Sequence, residues 1–153
     1  DLAAYRLRAW VYLLHPFLVF TAAMGLALAV AARAPVLASF GVAGFLLWAF
    51  TEAGQQTLTL FAFDRWREAW PAADESARAA IRVNTAMYDG LWDAMYMLLL
   101  IGFTIGNACL GAAMLRGDRL ARVAGAFMMA AVALTVLLFA GVRALLKGTG
   151  VWP

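Results

Sequence analysis

Four long apolar segments alternate along the chain with shorter polar ones. A helix of about 20 predominantly apolar residues is long enough to cross the roughly 30 Å of hydrocarbon in a bilayer. Each of the four segments reaches this length, and the predicted spans cover about residues 9–32, 35–63, 86–115 and 120–143. The first is longer than the apolar core of a signal peptide, so we expect it to be a retained span.

The polar connections between the segments differ in length. Two are very short, at Arg33–Ala34 and Arg116–Arg119. The middle connection covers about residues 64–82, where Pro71 ends the second helix and the acidic residues from Asp74 onwards favour a new helix N-terminus. Short connections make neighbouring helices antiparallel, so the pattern predicts an up-down bundle of four helices.

Composition gives the class of protein to which this bundle belongs. Of the 153 residues, 65% are hydrophobic and 14% are charged, and the mean hydropathy is +0.81. Soluble domains are nearer half apolar and a quarter charged, so a soluble fold is excluded. No dense block of Lys or Arg offers the basic face that a nucleic-acid partner requires, and we expect no such partner. Residues 1–153 are therefore predicted to form a single all-α integral membrane domain.

The basic residues predict the orientation of the spans. Eight of them fall on the side of the two termini and the middle connection, and four on the opposite side. Cytoplasmic segments carry the excess of Lys and Arg, so both termini are predicted to be cytoplasmic. The arginine-rich composition favours a multi-pass protein of a bacterial cytoplasmic membrane.

Several cofactor chemistries are excluded by scarce residues. The single Cys109 rules out an internal disulfide, a redox pair and a thiolate metal cage. The single His15 rules out a haem bound by two histidines, and no pair of Glu-x-x-His motifs is present for a di-iron centre. We expect no metal site of these kinds, and the sequence identifies no cofactor.

A polar stripe interrupts the second span. Glu52 lies about 17 Å along the helix from Phe63, at 1.5 Å per residue, which is close to the middle of the bilayer. Gln55, Gln56 and Thr59 follow on the same helical face. Ionisable groups at this depth cost about 2.5–3.5 kcal/mol on insertion scales, so the stripe is predicted to face the bundle interior.

The third helix carries a matching stripe. Asp89 and Asp93 are four residues apart, with Tyr88 and Tyr96 close to them on the helix surface. Two carboxylates stacked in this way repel when both are charged. They are expected to share a proton, to bind a cation or to pair with an arginine.

The two stripes and the histidine of the first span fall in the cytoplasmic half of the bundle. They predict a polar, cytoplasm-facing pocket, with Arg65, Arg82 or Arg143 at its mouth. Its predicted ligand-binding residues are His15, Glu52, Gln55, Gln56, Tyr88, Asp89, Asp93 and Tyr96.

Each of these groups also has a purely structural interpretation. In this interpretation, the two aspartates pair with Arg82 and Arg143 near the headgroups. Glu52 is a protonated carboxyl that is hydrogen-bonded to a polar neighbour. His15 satisfies the backbone carbonyl that Pro16, which lacks an N–H, leaves without a donor.

Small residues in the third span predict close helix packing. Gly102 and Gly106 form a Gly-x-x-x-Gly pattern, which lets two backbones approach where lipid provides no hydrophobic drive. The packing partner is either another helix of the same bundle or a second copy of the chain.

Three functions fit this sequence. The first is the binding or transport of a small polar ligand, a lipid headgroup, a proton or a cation by the pocket. The second is that of a non-catalytic accessory subunit in a larger membrane complex. The third is a membrane enzyme that uses Glu52 or Asp93 as an acid–base group with help from His15.

Overall fold

The computed structural model describes the backbone of residues 2–148 and the side chains of residues 4–141. Its helices are α1 (Leu2–Ala31), α2 (Pro35–Leu58), α3 (Asp64–Ala69), α4 (Glu75–Met114) and α5 (Arg119–Gly148). Two short elements flank α3: a π-helical turn over Thr59–Phe63 precedes it, and a 3-10 turn over Trp70–Ala72 follows it.

The prediction of an all-α fold is confirmed, since the described residues form helices and turns and no strand. Four helical segments are long and apolar enough to cross a membrane. They cover Ala4–Ala31, Pro35–Ala72, Glu75–Met114 and Arg119–Gly141. Each of them contains most of one predicted span, so the apolar runs of the sequence identify the helices correctly.

The second helical segment is longer than the sequence predicts. It continues past Phe63 through α3 to Ala72, and the backbone becomes extended only at Ala73. The apolar run ends at Asp64, but the helix does not. Charged residues interrupt an apolar pattern without interrupting a helix that need not enter hydrocarbon. Only Ala73 and Asp74 separate this segment from α4, where the Asp74 carboxylate accepts a hydrogen bond from the Ala77 N–H at 2.8 Å.

The chain divides into two compact units. The first unit consists of Asp1–Ala22 and Leu46–Ile101, and the second of Ala23–Phe45 and Gly102–Pro153. All eight polar residues of the predicted pocket belong to the first unit. Gly102 and Gly106 belong to the second.

In the second unit, glycines allow close contact between helix backbones. A Cβ atom on Gly44 of α2 would lie 2.8 Å from the carbonyl oxygen of Gly102 and 2.9 Å from the Cα of Gly106. A Cβ on Gly125 of α5 would lie 2.7 Å from the carbonyl oxygen of Gly111 in α4. The structure thus brings the predicted Gly102 and Gly106 against α2 of the same chain, at a separation that only a residue without a side chain permits.

Most of α5 lies outside these contacts. Only 6% of its most apolar stretch is buried, against 22–44% for the other three segments. Phe127 and Leu137, for example, are 73% and 69% exposed. An apolar surface of this extent requires cover by something other than water.

Candidate functional site

Hydrogen bonds link α2 to α4 in the first unit. Gln55, which is 2% exposed, donates from Nε2 to the backbone carbonyl of Trp92 at 3.1 Å. Thr59 donates from Oγ1 to the carbonyl of Gln55 at 2.9 Å, and the same oxygen lies 2.8 Å from the hydroxyl of Tyr88. A hydroxyl carries one proton, so Tyr88 donates to Thr59. The bonds to Trp92 and Tyr88 fix the register of the two helices.

The π-helical turn starts at this network. The backbone N–H of Asp64 donates to the carbonyl of Thr59, five residues earlier, in place of the usual four. Such a turn holds one extra residue, and it often occurs at functional sites because it redirects the side chains around it. Here Thr59 and Phe63, at the two ends of the turn, both lie in the wall of a cavity.

This cavity, the aromatic pocket, has a volume of about 310 Å³ and lies among α1, the π-helical turn and α4. Its size is at the lower end of the range for small-molecule sites. The wall residues are Tyr5, Arg8, Ala9, Tyr12, Gln56, Thr59, Phe63, Tyr88 and Trp92.

Stacked rings hold one wall of the aromatic pocket. The ring of Tyr88 stacks on Phe63, with centroids 5.1 Å apart and planes 24° apart. It also contacts Trp92 at 5.8 Å and, edge-on, Trp66 at 6.3 Å. Because the hydroxyl of Tyr88 is bonded to Thr59 as well, the position of this ring is constrained at both ends.

The charge of the aromatic pocket is positive. No carboxylate is among its wall residues, and Arg8 is their only charged side chain. The Arg8 guanidinium lies 5.4 Å from the centre of the Tyr5 ring and forms no ion pair with a described residue. The guanidinium of Arg67 lies 4.4 Å from the same ring, but its charge is balanced by the Asp64 carboxylate at 3.2 Å. An anionic group is therefore the ligand that the electrostatics favour.

A second cavity, the tryptophan cavity, lies between α3 and the start of α4 and has a volume of about 450 Å³. It shares Phe63 with the aromatic pocket. Its wall residues are Phe63, Trp66, Arg67, Trp70, Ile81, Arg82, Thr85, Ala86 and Asp89.

Both arginines of the tryptophan cavity have carboxylate partners. Arg67 lies 3.2 Å from the buried carboxylate of Asp64, and Arg82 lies 2.6 Å from Glu75. Asp89, in contrast, forms no ion pair or hydrogen bond with any residue that the structure describes. Among the charged wall residues, Asp89 is thus the one without an ion pair to any described residue.

The structure distributes the eight predicted site residues over several places. Gln56 and Tyr88 line the aromatic pocket, and Asp89 lines the tryptophan cavity. Gln55 lies behind the pocket wall in the contact with α4. Glu52 is half-buried and accepts a hydrogen bond from Gln56 at 3.2 Å. His15, Glu52, Gln55, Asp93 and Tyr96 line neither cavity.

His15 contacts a backbone carbonyl that Pro16 leaves without its helical hydrogen-bond donor. Its Nδ1 lies 3.2 Å from the carbonyl of Tyr12, which is four residues before Pro16 and so lacks its usual helical donor. A carbonyl only accepts, so Nδ1 carries the proton. The imidazole of His15 also contacts the ring of Trp48, and the two ring centroids are 5.5 Å apart. Among the described residues, His15 forms no ion pair or hydrogen bond with a carboxylate.

The predicted pairing of the α4 aspartates with Arg82 does not occur among the described residues. Asp89 and Asp93 are both exposed, and Arg82 pairs with Glu75 instead. The side chain of Arg143 lies outside the described residues. Within the described part of the chain, no group of three or more His, Cys, Asp or Glu side chains is positioned to hold a metal ion.

Sequence reasoning missed the residues that α1 gives to the aromatic pocket. The sequence pattern uses Arg8 only as one of the basic residues that predict the orientation, and it does not single out Tyr5 or Tyr12. A signal was present, because Tyr5, Arg8 and Tyr12 are spaced at three and four residues and therefore share one helical face. Buried Asp64, 3% exposed, was also missed because it lies just past the apolar run.

Comparison of the chain with protein-family models, curated proteins and solved structures gives no match. The proposals below therefore depend on the geometry of the first unit and on the sequence.

Proposed function

We propose that the chain spans a membrane four times, with both termini in the cytoplasm. The support is the length and apolar character of the four helical segments, together with the extensive exposed apolar surface of helices such as α5. The excess of basic residues on the side of the termini supports the orientation. A bacterial cytoplasmic membrane is the location that this composition favours.

In this orientation, the aromatic pocket lies at the level of the cytoplasmic headgroups. Its wall residues come from the start of the first predicted span, the end of the second and the start of the third. Tyrosine, tryptophan and arginine side chains are the ones that prefer this region of a bilayer. A ligand that enters the pocket from the membrane would present its headgroup here.

We propose that the aromatic pocket binds the phosphate of a membrane lipid. The observation that carries this proposal is that Arg8, in a wall without any carboxylate, forms no ion pair with a residue that the structure describes. Arginine donates two parallel hydrogen bonds to a phosphate, and this charge-assisted contact is stronger than a neutral one. The Arg8 guanidinium lies 5.4 Å from the centre of the Tyr5 ring, and no carboxylate of the wall balances its charge. A cation or a proton is a less suitable ligand because this charge would repel it.

Replacement of Arg8 tests this function. We expect Arg8→Gln to weaken the binding of phosphatidylglycerol by about 10-fold to 100-fold, the effect of one lost charge-assisted contact. Binding is measured by native mass spectrometry of the full chain in detergent, titrated with the lipid. Arg6→Gln is the matched control, because it removes the same charge two residues away, from a side chain that pairs with Glu68 outside the pocket wall.

Two outcomes would contradict the proposal. Equal losses for Arg8→Gln and Arg6→Gln would show a general effect of charge and no pocket. Equally tight binding of soluble glycerol phosphate would show that the ligand is a soluble phosphate ester, since the acyl chains of a lipid are expected to contribute most of its affinity.

A further inference from the structure

The two cavities differ in the wall residue that has no ion pair with a described residue. This residue is Arg8 in the aromatic pocket and Asp89 in the tryptophan cavity. Its two arginines are neutralised by Asp64 and Glu75, at 3.2 and 2.6 Å. The carboxylate of Asp89 has no such partner among the described residues and is exposed. A positively charged group is therefore the complement of this cavity.

The rings around Asp89 favour the same kind of ligand. Trp66, Trp70 and Phe63 line the cavity together with the carboxylate. An aromatic face attracts a cation, and tryptophan does so most strongly. The face of Trp70 already has guanidinium groups close to it, those of Arg78 at 5.7 Å and Arg82 at 5.8 Å. Trp66 has no such cation contact among the described residues, so no guanidinium competes with a ligand for its ring.

The two cavities meet at one ring pair. Phe63 lines both of them, and the Tyr88 ring that stacks on Phe63 belongs to the residue directly before Asp89. The two cavities therefore share a wall at Phe63, and Tyr88 of the aromatic pocket directly precedes Asp89 of the tryptophan cavity in α4. A ligand that carries both charges on one short headgroup matches this arrangement better than an anion alone.

We propose that the tryptophan cavity binds the primary ammonium group of an ethanolamine phospholipid, with Asp89 as the acceptor and Trp66 as the ring beside it. The proposal rests on the proposed function, in which the phosphate of the same headgroup binds at Arg8. The carboxylate accepts a hydrogen bond from an N–H group of the ammonium, while the ring interacts with its charge. The ligand class is then a zwitterionic aminophospholipid.

The test compares two lipids with the same acyl chains. Dioleoyl phosphatidylethanolamine and dioleoyl phosphatidylglycerol both carry a phosphate, and only the first carries an ammonium. In native mass spectrometry of the full chain, we expect the wild type to bind the ethanolamine lipid about fivefold more tightly, as expected for one exposed charged contact. Asp89→Asn should abolish this preference. Glu68→Gln should retain it, because Glu68 is a carboxylate of the same unit that lines neither cavity.

The outcomes separate this proposal from the previous one. Equal binding of the two lipids by the wild type, or a preference that persists in Asp89→Asn, overturns the ammonium site and leaves the phosphate site intact. The phosphate contact at Arg8 is tested separately, because Arg8→Gln should weaken the binding of both lipids. Since Asp89 is exposed, its variant is expected to fold, and an unchanged thermal melting curve checks this.

Discussion

Gly44→Ala is expected to lower the free energy of unfolding by about 3 kcal/mol, at the upper end of the cost of overpacking a core. The new Cβ would lie 2.8 Å from the carbonyl oxygen of Gly102 and 2.9 Å from the Cα of Gly106. Both obstacles are backbone atoms, so no side chain can rotate away. α2 and α4 must instead separate locally, and the contacts around the glycines are lost with them.

Two other glycines of the second unit are matched controls. At Gly106, the obstacle is the ring of Phe45, whose Cδ2 would be 2.7 Å away, so Gly106→Ala should cost less, about 1 kcal/mol. Gly25 has nothing within 4 Å, and Gly25→Ala should be neutral or slightly stabilising. Thermal unfolding of the three variants in detergent, monitored by circular dichroism, gives the order of their stabilities. Equal melting temperatures for Gly44→Ala and Gly25→Ala would contradict the close contact.

Arg67→Met is expected to destabilise the protein by about 2–3 kcal/mol. The Asp64 side chain is 5% exposed and lies 3.2 Å from the Arg67 guanidinium, and its Oδ1 accepts no hydrogen bond from a described residue. Without the arginine, a buried carboxylate would remain with neither a charge partner nor a donor. Methionine preserves much of the length of the side chain, so the effect comes chiefly from the charge.

The aspartate provides the complementary test. Asp64→Asn removes the buried charge itself and should cost less than about 1 kcal/mol. The double variant Asp64→Asn/Arg67→Met should then be close to Asp64→Asn alone, because the charge that needed the arginine is gone. All three variants are compared by chemical denaturation in the same detergent. A double variant that is as unstable as Arg67→Met plus Asp64→Asn would show that the two residues act independently.

The sequence predicts the helices well because its signal for them is strong. Long apolar runs determine where a helix can cross a bilayer, and all four predicted spans correspond to helices. The face shared by Gln55, Gln56 and Thr59 follows from helical periodicity, and these side chains do take part in the contacts of α2. Periodicity alone does not say which partner such a face meets.

The remaining features depend on tertiary packing. Neither the π-helical turn at Thr59–Phe63 nor the contact of Gly44 with α4 has a local sequence signature, because both arise from the fit between two helices. The aromatic pocket needs Arg8 and Tyr88, which are 80 residues apart in the chain, so no local pattern relates them. Sequence reasoning gave most weight to acidic residues at membrane depth, whereas the pocket wall contains none of them.

The distance between the Arg8 guanidinium and lipid phosphorus is a direct test of phosphate binding in the aromatic pocket. Solid-state NMR can measure dephasing of ¹⁵N-labelled guanidinium signals by ³¹P in bilayers of phosphatidylethanolamine, with Arg8 assigned through the signal that Arg8→Gln removes. We expect strong dephasing of the Arg8 signal, as hydrogen-bonded contact requires, and weak dephasing of the Arg6 signal, because Arg6 pairs with Glu68. An Arg8 signal that shows no dephasing in these bilayers would contradict a phosphate site in the aromatic pocket.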